Sequence, residues 1–135
     1  MTAVVDEKQR SSILEYPEEY LEGIELFNRG DYFEAHETWE SLWLVSTGEE
    51  KRFLQGLIQS AVALYHHERQ RFGAARRTFE RARQKLEGLP RLYMSLEIPE
   101  FLIQMERFFG CDILDAPSGG YSPSARPAIR LAEES

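Results

Sequence analysis

Gly30 stands between two stretches of helical apolar spacing with no residues to spare for a loop, and that junction constrains the fold more than any other feature. Upstream, Pro17-Glu18-Glu19 suits a first helical turn, because proline tolerates that position and the acids complement the helix dipole. Tyr20, Leu21, Ile24 and Phe27 then recur at helical spacing, and Asn28-Arg29-Gly30 ends the element with a glycine cap. Downstream, Asp31 and Glu34 have the spacing of a capping box, so a second helix is expected to start at once and run over about 31–44. Two amphipathic helices joined so tightly fold back on each other as an antiparallel hairpin.

The rest of the chain repeats the theme. Thr47 and Glu50 have capping-box spacing and open a third helix over about 49–69, the most apolar of all. Its residues Phe53, Leu54, Leu57, Ile58, Ala61, Leu64 and Tyr65 make it the expected centre of the fold. Its other face carries Arg52, Gln55, Gly56, Gln59, Val62, Ala63 and His66, a mixture that suits either solvent or the wall of a polar pocket. A fourth helix over about 72–86 turns Phe72, Ala75, Phe79, Ala82 and Leu86 to the core and Arg77, Arg81 and Gln84 outward, with Gly88-Leu89-Pro90 as its stop. A last helix over about 99–109 buries Leu102, Met105 and Phe109. Residues 1–14 are polar and expected to be loose. A single helical domain is expected over 15–112, and 113–135, with Pro-Ser-Gly-Gly-Tyr-Ser-Pro-Ser-Ala-Arg-Pro, reads as a flexible tail.

The fold class predicted is therefore all-α: a helical bundle of two antiparallel helix hairpins plus a C-terminal helix. A faint internal echo agrees with this. Residues 32–40 and 72–80 share aromatic, alanine, threonine, aromatic and glutamate at an offset of forty, each in the second helix of a hairpin. His36 has no counterpart, since Arg76 stands there.

Charge narrows the function. The net charge of −7 argues against broad nucleic-acid binding. Residues 1–50 hold thirteen acidic and three basic side chains, whereas 69–91 hold eight basic and two acidic, so the two segments are expected to complement each other. Cys111 is the only cysteine, which rules out an internal disulfide and suits a small semi-buried hydrophobe. The N-terminus lacks a basic and an apolar region of the secretory kind, and no apolar run approaches the length of a membrane span; a cytoplasmic protein is expected. No phosphate loop, serine elbow, Cys-x-x-Cys pair or nucleotide fingerprint is present.

The candidate site lies on the second helix. Tyr32, Ala35, His36, Trp39 and Trp43 share one face, with Glu40 at its edge. A titratable group on a core face must be paired, so something has to satisfy His36 and Glu40. Three readings are open. His36 and Glu40, one turn apart, make a structural polar network. Or they join His66 as ligands of a divalent metal (zinc, iron or manganese), in a segment that looks like an H-E-x-x-H helix with glutamate for the second histidine. Glu37 is then the general base of a hydrolase-like enzyme, although it lies about 100° from His36 on the helix. Or His36, Glu37, Trp39, Glu40, Gln55, Gln59 and His66 line a polar pocket for a small ligand or a protein segment. Exposed apolar surface on the first or last helix would suit a homodimer.

The run 27–40, with Glu34-Ala35-His36-Glu37-Thr38-Trp39-Glu40, followed by Gln55-Gly56-Leu57-Ile58-Gln59 and Ala61-Val62-Ala63-Leu64-Tyr65-His66, resembles a bacterial and archaeal family known as domain of unknown function, number 309. The resemblance covers roughly 17–109 and implies a small all-helical domain; it implies no activity, substrate or cofactor. In such relatives the turn before the fourth helix tends to hold glycine and asparagine, where this chain reads Glu68-Arg69-Gln70-Arg71-Phe72-Gly73.

Overall fold

The computed structural model describes residues 15–115 and 126–132, with the backbone alone for 111–115. The expected loose segment 1–14 and the Cys111 side chain lie outside the described residues. Five helices and one short hairpin follow one another: α1 (Glu18–Arg29), α2 (Tyr32–Trp43), α3 (Gly48–Glu68), α4 (Phe72–Glu87), β1 (Leu92–Tyr93), β2 (Leu96–Glu97) and α5 (Ile98–Asp115). The fold is all-α, as expected, with α1–α2 and α3–α4 as the two helix hairpins.

The α1–α2 turn forms where the sequence places it. Gly30 takes φ 88°, a left-handed conformation that glycine alone reaches without strain, and its N–H bonds back to Phe27 while that of Asp31 bonds to Leu26. The two capping boxes do not form, however. Neither Asp31 nor Thr47 makes a side-chain cap bond, and Asp31 instead meets the Arg29 guanidinium at 3.4 Å. For Asp31 local exposure explains this, since an exposed carboxylate can pair with a neighbouring guanidinium in place of a backbone amide.

α3 is the central helix. Phe53, Leu54, Leu57, Ala61 and Leu64 are buried, packed between the α1–α2 hairpin and α4. α1 and α2 approach closely where Gly23 faces Trp39: a β-carbon on residue 23 would overlap the indole ring. The indole N–H donates to the Tyr20 carbonyl at 3.2 Å, so the largest buried side chain is also hydrogen-bonded.

Three features depart from the sequence-based expectation. Phe72 is 53% exposed rather than core-facing, while Phe101 and Phe108 of α5 are buried and help fill the core. α5 continues past 109 to Asp115. Residues 126–132, expected within a flexible tail, pack along the domain, with Ile129 only 2% exposed; the rest of that expectation falls outside the described residues. The expected charge complement also differs. Arg83 pairs with Glu80, Glu87 and Glu106, and Arg91 with Glu97, so these basic side chains are met by acids of their own half of the chain.

Candidate functional site

The inward face of α2 is graded. Tyr32, Ala35 and Trp39 are buried, the His36 side chain is 19% exposed, and that of Glu40 is 52% exposed. His36 and Glu40 therefore stand at the rim of the α2–α3 seam and not in the core. His36 Nδ1–H donates to the Phe33 carbonyl at 2.8 Å, which makes Nε2 the lone-pair nitrogen of the neutral ring. Nε2 lies 3.9 Å from Glu40 Oε1, beyond hydrogen-bond reach, so the expected structural network reduces to a loose ion pair when the ring carries a proton.

Across the seam, α3 supplies Val62, Tyr65 and His66. With Tyr32, Phe33 and His36 they enclose a cleft of about 190 Å³ whose lining is almost wholly apolar. Phe33 is its open side: 44% exposed, its ring lies 5.1 Å from that of His36 and 5.4 Å from that of Tyr65. The Arg69 guanidinium sits 5.3 Å over the outer face of Tyr65. Two histidines, His36 and His66, interrupt these walls. His66 Nδ1 is buried without a hydrogen-bond partner, and burial, aided by Arg71 and Arg77, lowers the pKa of the ring and keeps it neutral.

The other expected site residues do not join this cleft. Gln55 lies farther along α3, on an open groove with Trp43, Lys51, Arg52 and Lys85. Gln59 is half-buried with Oε1 unpartnered, and Glu37 is exposed. Trp39 is a core anchor. The mixed face of α3 is largely an interface with α4: Arg52 donates to the carbonyls of Lys85 and Gln84 at 2.8 and 2.9 Å, and Gly56 lies against Leu86. Among the described residues no three His, Cys, Asp or Glu side chains stand close enough to hold a metal ion, so His36, Glu40 and His66 do not form a ligand set. Glu40 turns to solvent at the edge of the seam.

Sequence reasoning misses Phe33, Val62 and Tyr65 as site residues. Their signal lies in the i, i+3 spacing of Phe33 to His36 and in the Tyr65-His66 pair, since each aromatic flanks a histidine on its own helix.

Fold and site together define a small helical-hairpin domain with a narrow, apolar, histidine-bearing seam on its surface. The chain belongs to the family described as Domain of unknown function (DUF309), which matches residues 20–78, the stretch that holds α1, α2, α3 and the start of α4. It is 44% identical over 64 residues to the uncharacterized protein YpuF of Bacillus subtilis, an alignment that spans 46% of this chain and 37% of YpuF. The crystal structure of a conserved hypothetical protein from Thermus thermophilus superposes with a TM-score of 0.62 at 38% identity, covering 70% of this chain and 97% of that one. Among the described residues no helix is long and apolar enough to cross a membrane.

Proposed function

We propose that this domain is a protein-recognition module, and that the α2–α3 cleft receives one apolar side chain tipped with a hydroxyl, such as a tyrosine of a partner segment. The observation that carries this reading is an apolar cleft of about 190 Å³ lined by His36 and His66, with His66 Nδ1 buried and unpartnered in its wall. Cavities that enclose whole small-molecule ligands run from about 300 Å³ upward, so this one is sized for a side chain. A buried nitrogen without a partner is an energetic liability that a ligand hydroxyl would relieve, since hydroxyl can donate or accept as the tautomer demands. Half-exposed Phe33 adds apolar contact at the rim, as expected of an anchor pocket at a protein interface. The hydrolase reading has no comparable support, because its three ligands do not converge.

The probe is p-cresol, the tyrosine side chain in isolation, titrated into the full chain and followed by the ring resonances of Tyr65 and His66. Saturable shifts that vanish in Val62→Trp, where the cleft is filled, support the reading. An unaltered spectrum at saturating p-cresol rejects it.

A further inference from the structure

Residues 126–132 are held as a bound peptide is held. The Ala128 N–H donates to Gln104 Oε1 at 3.0 Å and the Ala128 carbonyl accepts from Gln104 Nε2 at 3.1 Å. One residue on, the Ile129 N–H donates to Asn28 Oδ1 at 2.8 Å and its carbonyl accepts from Asn28 Nδ2 at 2.9 Å. In an extended backbone the N–H and C=O of one residue face one edge, and those of the next face the other. Gln104 of α5 and Asn28 of α1 thus grip opposite edges of the strap, each reading one complete backbone unit. A third anchor, the bond from Ala132 N–H to the Ser95 carbonyl at 2.7 Å, fixes the far end. Between these clamps Ile129 enters the core at 2% exposure.

Backbone-directed bonds of this kind do not depend on the side chains of the bound segment, whereas the sites that bury Pro127 and, at the centre, Ile129 select apolar residues. Side chains on the outer face of the strap meet a different environment. Ala128 and Arg130 border a cavity of about 300 Å³ whose other walls include Leu96, Phe101 and the carboxylates of Glu97 and Glu100. The strap's alanine leaves that cavity open, and its arginine stands on the acidic rim.

We propose that the groove between α1, the hairpin and α5 is a docking site for an extended, basic protein segment with a branched aliphatic residue at its centre, and that residues 126–132 occupy it in cis. A partner segment with a larger or basic side chain in place of Ala128 fills the open cavity and meets Glu97 and Glu100, so it outcompetes the strap. The local charge and the net charge of −7 both favour a basic partner. The site is built from elements other than the cleft above and stands or falls without it. The strap and Gln104 lie beyond the residues matched by the family.

The test uses the full chain carrying Ile129→Asp, which expels the strap, and a fluorescent peptide with the sequence of residues 124–132, capped at both ends. Polarisation should show saturable binding to Ile129→Asp, and binding about 10-fold weaker or more to the unaltered chain, where the tethered strap competes at high effective concentration. Adding Asn28→Ala to Ile129→Asp should weaken binding at least about 10-fold, because two hydrogen bonds are lost. A peptide with lysine in place of Ala128 should bind more tightly. Absence of saturable binding to folded Ile129→Asp overturns the proposal, as does binding that Asn28→Ala leaves unchanged. Should circular dichroism show Ile129→Asp unfolded, Ile129→Ala takes its place and the same outcomes decide.

Discussion

Burial, reinforced by the guanidinium groups of Arg71 and Arg77, holds the His66 imidazole below its ordinary titration range. In the unfolded chain the same ring takes up a proton near pH 6.5. Between those two values the unfolded state binds more protons, so stability rises with pH. The contribution is complete above about pH 6.5 and is lost as the pH falls through the folded-state value. Urea midpoints should therefore fall more steeply between about pH 7.5 and 5 for the unaltered chain than for His66→Gln; parallel lines would show that the ring is not desolvated. Glu68 has the opposite sign. Burial raises its pKa, with Arg126 opposing and Asp31 adding, so its contribution is present at acid pH and lost as the pH rises through the folded value. Gln70 carries a separate residue-scale prediction. It adopts φ 63°, so the turn into α4 holds a left-handed position of the kind that suits glycine or asparagine. Gln70→Gly should raise stability by about 1 kcal/mol, measured by chemical unfolding. At this scale the sequence was informative about which residue types were out of place, His36 and His66 above all. It was silent on burial: helical spacing put His36 and Glu40 on the inner face but could not show that α2 reaches the edge of its seam there.

At the scale of elements, the internal echo has a physical basis. Ala35 and Ala75 are both fully buried, as are Trp39 and Phe79, so the second helix of each hairpin buries the same small–large pair, Trp39 against α1 and Phe79 against Phe109 of α5. The echo fails at its first residue, where Tyr32 is buried and Phe72 is exposed. The α3–α4 seam includes one close complementary contact, since a β-carbon on residue 56 would lie 2.6 Å from Leu86 Cγ and Cδ2. Leu86→Ala should destabilise by about 3 kcal/mol through the cavity it leaves, and Gly56→Ala by about 1–3 kcal/mol through overpacking. Because each change makes room for or fills the space of the other, the double variant should lose clearly less than the sum in a thermal or urea cycle. Strict additivity would mean that the helices do not meet as described. Helices and their order were legible because their apolar period runs over three turns or more. The β1–β2 hairpin was not, since two residues per strand carry no period, and the capping boxes misled because sequence spacing does not report which partner an exposed carboxylate takes.

For the molecule as a whole, the strap was illegible for a related reason: it is held by its backbone through Asn28, Gln104 and Ser95, and its inward side chains Pro127, Ile129 and Leu131 alternate over too short a run to stand out. A strap of seven described residues, anchored by five hydrogen bonds and by the side chains of Pro127, Ile129 and Leu131, cannot share the full cooperativity of a core in which α3 is packed by α2 and α4. Sub-global opening of such a unit takes less free energy than unfolding the domain. Native-state hydrogen exchange should accordingly resolve two tiers. The amides of Ala128, Ile129 and Ala132 should exchange together at a free energy of about 2–4 kcal/mol, whereas those of Leu57, Ala61 and Leu64 should exchange only near the global value. Ile129→Ala should lower the first tier and leave the second almost unmoved, since the helices keep every contact they make with one another. If the strap amides instead exchange only with global unfolding, and Ile129→Ala lowers both tiers equally, the segment is an integral wall of the core, and an exchangeable groove would have no open state through which a partner could enter.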